Sequence, residues 1–550
     1  MKTSCAFLTM SLVVSIASAS AQQTDEERLA AIARNAAEQF AAAQAAQAQA
    51  PSPVPAPIAS DLTVNLSLEE ALERALENNL ELVVERLNPR LQDLNLVGIR
   101  ASYLPTLQTT YSQNNSTRLP TTQLNGGFVT TNNSTQYNTG VSQSVPFYGG
   151  NYSATWNNSR QETNDTFSNF NPSYNTSLRL NYTQPLLRNF LIDGTRRSLK
   201  SGEISREVAD ITLQARINTL VANVRTAYWN LLYAVQAIEV ARTSLEIAEQ
   251  FVRDNQARVE VGTLAPLDVR QAEAEVATRR QALVQAEGTR LTNEIALKRL
   301  IVTGTSDPIW QATVTPVDTP EFVPEAIDVE AAVRRALDVR TDVAQARKTI
   351  ENNDLSVKYL KNQTLPSLDF SANYQTQGVG GTRFVRSGLG GAATEVIPGG
   401  YRDALSTLGS FDFPVWGFQL NLSYPIGGSA QNAQYARAQV QRNQVAAQLE
   451  ALELQVATDI TSAALSVQTS LTAYESAVVA RELREEQLDA EQSRFEVGLS
   501  TSYIVVQAQR DLSTAQDSEL RALLNYRQAL VEFERVQVTS SGGAGITAIN

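Results

Sequence analysis

The chain repeats itself, and the repeat limits what it can fold into more than any other feature. Leu68-Glu69-Glu70-Ala71-Leu72-Glu73-Arg74-Ala75-Leu76 aligns without a gap on Val329-Glu330-Ala331-Ala332-Val333-Arg334-Arg335-Ala336-Leu337. The same offset carries Leu104-Pro105-Thr106-Leu107 onto Leu365-Pro366-Ser367-Leu368. Farther on, Leu180-Asn181 and Pro185 match Leu420-Asn421 and Pro425, and Arg258-Val259-Glu260-Val261-Gly262 matches Arg494-Phe495-Glu496-Val497-Gly498. Gln271-Ala272 then falls on Gln507-Ala508. Blocks kept in one order require both halves to adopt one plan.

That plan reads helix, strand, strand, helix, helix. In 367–375, Leu368, Phe370, Ala372 and Tyr374 share one face, and Asp369, Ser371, Asn373 and Gln375 share the other. In 418–426, Phe418, Leu420, Leu422, Tyr424 and Ile426 oppose Gln419, Asn421 and Ser423. The first half echoes this with Leu178, Leu180 and Tyr182 against Arg179, Asn181 and Thr183. Segments of about nine residues with one apolar face fit tilted membrane strands or the strands of a soluble sandwich, and alternation alone does not separate the two. The Asn-, Thr- and Ser-rich stretches 113–140 and 158–177 read as extracellular loops and favour the membrane. Between them, Val141 to Asn157 reads as an extra hairpin turning at Gly149-Gly150.

The helices are long. Leu213, Ile217, Leu220, Val224, Ala227, Leu231, Ala234, Ile238, Ala241, Leu245, Ala248, Val252, Asn255 and Val259 follow a 4,3,4,3 spacing, the heptad pattern of a left-handed coiled coil. A helix over 198–261 is about 95 Å long, and helices 67–102 and 266–302 stacked end to end reach about 110 Å. The second half repeats this with 329–363 and 503–537 against 430–496. A wall of long helices alternating with stacked short pairs follows, with the strands at one end and the hairpins at Gly262 and Gly498 at the other. The segment 303–328, with Pro308, Pro316, Pro320 and Pro324, links the halves and is expected at the waist.

The start of the chain sets the compartment. Lys2, the apolar run from Ala6 to Ile16, and Ala17-Ser18-Ala19-Ser20-Ala21 read as a signal peptide over 1–21. Residues 22–60, rich in Ala and Gln and ending in Pro51, Pro53, Pro55 and Pro57, read as a flexible extension. The expected layout is then a first repeat over 61–302, the linker 303–328, a second repeat over 329–537 and a tail over 538–550. The only cysteine is Cys5 and there is no histidine, so the mature chain has no disulfide, thiol or imidazole chemistry. A formal charge of −12, from 45 Lys+Arg against 57 Asp+Glu, argues against a nucleic-acid partner. The acids are scattered along helices rather than converging, so no catalytic residue, metal or cofactor is expected.

The duplicated order of helix, Leu-Pro-x-Leu, two strands, proline, long helix, Arg-x-Glu-Val-Gly and helix resembles the TolC-like outer-membrane efflux proteins over residues 61–537. The resemblance implies a trimer that combines an α-helical coiled-coil tube with a membrane β-barrel. Four strands per protomer would close one shared 12-stranded barrel, seated in outer-membrane lipid. Four strands alone leave two open edges, which a bilayer does not tolerate, so trimerisation would be a physical requirement. The helical barrel would cross the periplasm to a periplasmic adaptor protein and an inner-membrane transporter, forming the exit duct of an efflux or type I secretion system. Val261-Gly262-Thr263-Leu264 and Val497-Gly498-Leu499-Ser500 would be the adaptor-docking tips, and Asp268 an entrance acid. The best-known member's paired-aspartate ring falls on Ile504 and Gln507 here, and its gate-locking tyrosine and arginine on Phe495 and Ser500, so those devices are not carried over. The rival reading is a secreted coiled-coil structural protein or adhesin, which has no need of bilayer-length apolar strands before both helix pairs.

Overall fold

The computed structural model describes residues 63–119, 129–165, 167–262, 264–318, 327–388, 391–427 and 429–539. The expected signal peptide, the 22–60 extension, Thr263 and nearly all of the 538–550 tail lie outside them. The elements run β1 (Thr63–Leu66), α1 (Leu68–Asn78), α2 (Leu80–Glu85), α3 (Leu87–Ala101), β2 (Thr106–Arg118), β3 (Thr130–Ser144), β4 (Asn151–Thr163), β5 (Phe170–Pro185), α4 (Gly194–Glu260), α5 (Pro266–Ile301) and α6 (Pro308–Gln311). Then follow β6 (Thr313–Pro316), α7 (Val329–Val339), α8 (Thr341–Gln363), β7 (Ser367–Arg386), β8 (Ala393–Ile397), α9 (Tyr401–Ser410), β9 (Pro414–Ser423), α10 (Ala430–Glu496) and α11 (Ser502–Val538).

The chain divides into two compact units. Among the described residues, the smaller joins 63–67 to 302–318. There β1 pairs in parallel with β6, from Thr63 opposite Thr313 to Leu66 opposite Pro316. The described part of the proline-rich linker is thus structured, with Asp307 capping α6 through the Ile309 amide at 3.0 Å.

The larger unit holds the long helices and one sheet. The rods α4 and α10 each run 67 residues and start from side-chain caps, Asp193 on the Arg196 amide and Ser429 on the Asn432 amide. None of the heptad positions from Leu213 to Val259 is exposed, and Leu220, Val224, Leu231, Ala234, Ile238, Ala248 and Asn255 are buried, so the 3.5-residue period marks the packed face. In the second half, Ala332, Ala336 and Val343 from the short helices pack with Val456, Ile460 and Val467 of α10 and with Tyr526, Phe533 and Val536 of α11. The start of one short pair therefore meets the end of the other along the rod, as the lengths imply. The ungapped alignment puts Asn79 on Arg340, and both sit at that meeting point. Asn79 donates to the Leu300 carbonyl at 3.1 Å at the end of α5. Arg340 donates to the Val536 carbonyl at 3.1 Å near the end of α11.

The sheet corrects the strand count. It has seven strands, in the order β2-β3-β4-β5-β7-β8, with β9 also on β7. The sheet thus has more strands than the four per protomer that the resemblance implies for the barrel. The hairpin foreseen at Gly149-Gly150 forms, with Tyr148 at φ 59° and Gly149 at φ 70°, and its arms β3 and β4 lie inside the sheet. The stretches 113–140 and 158–177 are not simply loops, since β2, β3, β4 and β5 run through most of their described residues. Backbone ladders need no apolar side chains, so a strand wet on both faces loses the alternation by which it was sought. At the other end, Tyr424 and Ile426 lie beyond β9.

Helix α9 packs on the upper part of β7 at two glycines. A Cβ at Gly378 would stand 2.0 Å from the Ala404 carbonyl oxygen, and one at Gly380 2.3 Å from that of Gly400. Both obstacles are backbone, so they cannot swing aside. Gly378→Ala is expected to lift α9 from the sheet, which limited trypsin digestion would report as faster cleavage after Arg402. An unchanged cleavage rate would show that α9 is held by other contacts.

Candidate functional site

Two features of the larger unit stand out, the tips of the rods and the faces of the sheet. At both tips a left-handed glycine ends the rod, Gly262 at φ 77° and Gly498 at φ 78°. The Gly262 amide bonds the Val259 carbonyl at 3.0 Å, and the Leu499 amide bonds that of Arg494 at 2.8 Å, closing each C-terminus in the manner of a glycine cap. The caps leave apolar side chains in the open: Val261 is 73% exposed, Val497 70% and Leu499 80%. Leu264 is half-buried, and the Ser500 hydroxyl donates to Glu491 at 2.8 Å. The two hairpins meet. Phe251 packs on Phe495 at 5.7 Å between ring centres, Arg258 lies 4.5 Å over the Phe495 ring, and buried Asn255 donates to Ser502 at 3.1 Å. The site residues Val261, Gly262, Leu264, Val497, Gly498, Leu499 and Ser500 therefore belong to one end of the unit. Asp268 lies near them in the first turn of α5, half-buried, with its backbone amide bonded to the Ala265 carbonyl at 3.0 Å.

Behind the tips lies an ionic cluster that sequence reasoning did not single out. Glu275, 1% exposed, accepts from Arg279 at 2.7 Å and from Arg510 at 2.6 Å, tying α5 to α11. The bond to Glu275 raises the Arg510 guanidinium further above its ordinary value. Arg279 also donates to Ser513 at 2.8 Å. The available signal was in the repeat: Glu275 and Asp511 both stand three residues after the matched Gln-Ala pairs. Asp511 is paired with Arg484 at 3.2 Å. Farther along the rod, Tyr233 donates to Asp517 at 3.0 Å. Burial, then the Asp517 carboxylate, push its phenol up to about 12, so it remains a donor. Tyr228 is buried and stacks edge-on against Trp229, a packing role.

The sheet has two unlike faces. Directly paired residues on antiparallel strands point to the same side. One row across the sheet reads Leu107, Val141, Ala154, Leu180, Tyr374 and Trp416. The adjacent row, on the opposite face, reads Thr106, Ser142, Ser153, Asn181, Asn373 and Gly417. Phe418, Leu420 and Leu422 extend the apolar face and are 62–70% exposed. No helix among the described residues is long and apolar enough to cross a membrane.

The family model described as outer membrane efflux protein matches residues 149–302 and 332–536, well over half of the chain. The chain belongs to the outer membrane efflux protein family. Outer membrane protein TolC of Escherichia coli (strain K12) is 25% identical over 204 residues, 35% of this chain, and the match spans only 40% of that curated relative's length. Among solved structures, the Campylobacter jejuni CmeC outer membrane channel superposes with a TM-score of 0.60 at 15% identity, covering 86% of this chain and 85% of that one. A membrane protein from Pseudomonas aeruginosa gives 0.62 at 15% identity, covering 90% and 96%. This efflux-family chain thus shares the fold of those proteins, and its paired rods and two-faced sheet are the features that a secreted coiled-coil adhesin has no reason to combine.

Proposed function

We propose that the protein is the outer-membrane exit duct of a tripartite efflux or type I secretion system, working as a homotrimer with a periplasmic adaptor and an inner-membrane transporter. The observation that carries this reading is the sheet, apolar on one face and polar on the other, with edges β2 and β9 unpaired among the described residues. A surface of that kind buries one face in lipid, lines water with the other, and is stable in a bilayer only when copies complete it. The rods supply the reach across the periplasm, and Val261, Gly262, Val497, Gly498, Leu499 and Ser500, together with Thr263 and Leu264, are the surface offered to the adaptor. Nothing in this role is catalytic, and the chain is read as a conduit rather than an enzyme.

Native mass spectrometry of the detergent-solubilised protein should find a trimer, and planar bilayers should show its channels. A stable monomer with full β content would sink the reading. Asp268 is assigned to the entrance, where three-fold symmetry would gather one carboxylate from each protomer. One acid per protomer offers fewer oxygen ligands than a paired ring, so multivalent cations should block only weakly. Asp268→Asn is expected to reduce the channel's preference for cations. Tight block by divalent cations that the substitution leaves unchanged would move the constriction to other residues.

A further inference from the structure

We propose that the pore in the outer membrane is an eighteen-stranded barrel, six strands from each protomer, closed by pairing β9 of one protomer with β2 of the next. The proposal rests on the trimeric duct reading above and departs from the twelve strands that the family resemblance implies.

The hairpin of β3 and β4 is built into the wall. β3 pairs with β2 from Thr130 to Ser142, and β4 pairs with β5 from Asn151 to Gln161. Its side chains keep the two faces of their neighbours: Val141 and Ala154 continue the row of Leu107, Leu180 and Trp416, while Ser142 and Ser153 continue the polar one. Trp156 stands beside Leu178 on the apolar face. A hairpin lying outside the membrane would have no cause to share this pattern. β8 adds no seventh wall strand, because it pairs with β7 only at Arg383–Arg386, above the Ser367–Thr376 stretch that β9 occupies on the same edge.

Strand direction allows closure. Six consecutive antiparallel strands leave β2 and β9 running oppositely, so β9 of one copy meets β2 of the next in antiparallel fashion. An odd number would not close in this way.

The stagger that follows from aligned strand ends is compatible with closure. Aligning the ends of the two edges, Thr106 and Ser423, sets Leu107 opposite Leu422, Thr109 opposite Leu420, Tyr111 opposite Phe418 and Gln113 opposite Trp416. Within one protomer, the row that begins at Leu107 ends at Trp416. Crossing the seam returns it to β2 at Gln113, a step of six residues. Three protomers accumulate a stagger of eighteen residues over eighteen strands. With about 3.4 Å per residue and about 4.8 Å between strands, that gives a tilt of about 35°, at the edge of the range of about 35–45° in which barrels close. Such a barrel is about 34 Å across between backbones, against about 23 Å for twelve strands at the same tilt.

The test uses the full-length protein with its single cysteine, Cys5, replaced by serine, so that introduced thiols stand alone. In proteoliposomes, a membrane-impermeant maleimide should label Thr155→Cys, which faces the lumen, roughly tenfold or more faster than Ala154→Cys, which faces lipid. Oxidation of the double variant Thr109→Cys with Leu420→Cys, or of the adjacent rung Gln108→Cys with Asn421→Cys, should yield covalent trimers. One of these two rungs is a closely spaced non-hydrogen-bonded pair. Leu107→Cys with Trp416→Cys, in one row but five strands apart, should yield none. Equal labelling at 154 and 155 in an intact trimer would overturn the eighteen-stranded barrel and leave the duct standing. Failure of both seam pairs in an intact trimer would overturn the β2–β9 closure. A monomer by native mass spectrometry would overturn the duct reading itself.

Discussion

Replacing Gly498 by arginine is expected to abolish export while leaving the trimer assembled in the outer membrane. The residue lies at φ 78°, where an L side chain costs roughly 1–2 kcal/mol. A Cβ added there meets nothing within 4 Å, so the interior is not disturbed. What changes is the outline and charge of the tip between exposed Val497 and Leu499. Apolar side chains held open by a rigid cap are suited to a partner's groove, and a cation projecting among them loses its hydration on docking without gaining a counter-ion. Gly498→Ala, which carries the same backbone strain without bulk or charge, should keep most of the activity. The assay is rescue of a deletion strain's export defect, with outer-membrane trimer measured in the same cells. Undiminished export by the arginine variant would refute the tip assignment.

The second large effect is on stability. Arg340 is 1% exposed at the break between α7 and α8. Its guanidinium bonds Asp342 at 2.7 and 3.0 Å, Asp459 of α10 at 3.5 Å and the Val536 carbonyl at 3.1 Å. Asp342 and Asp459 are themselves only 16% and 12% exposed. Arg340→Ala takes the shared cation from both carboxylates beside the core formed by Ala336, Val343 and Ile460, although the Val343 amide still donates to Asp342 and Gln455 to Asp459, and is expected to cost about 3–5 kcal/mol. Thermal unfolding of the solubilised protein, followed by circular dichroism, should show a clearly lowered midpoint. Arg340→Met combined with Asp342→Asn and Asp459→Asn, which removes the charges together, should recover much of the loss. If the single variant unfolds like the parent, the cluster is not what joins the short helices to the rod.

The rods were legible in the sequence because a coiled coil writes its contacts locally. Fourteen positions from Leu213 to Val259 give period, face and length, and the rod ends follow from Gly262 and Gly498. The sheet was legible only where apolar and polar side chains alternate, as at Leu368 to Tyr374 and Phe418 to Leu422. Above that level Thr130 to Gln136 form a strand through backbone pairing alone, and nothing in their side chains announces it. The ends of the short helices were blurred for another reason. Asn79 and Arg340 each break a helix to bond a carbonyl more than 190 residues away, and such a partner leaves no local trace. At the tips, sequence located the glycines but not the Glu275 cluster, since a buried acid and a solvated one look alike until Arg510 is seen beside it.

The equal rods make length a joint property of the two repeats. Each has 67 residues, about 100 Å, and each delivers an aromatic ring, Phe251 or Phe495, to the same contact. Adding one heptad to a single rod would carry its ring about 10 Å past the other and break that meeting. The short helices stacked alongside would have to grow by the same amount. A gene that lengthened this protein to suit a wider periplasm could therefore succeed only through matched insertions in both halves, and unmatched ones should be culled. Reach is inherited here in pairs.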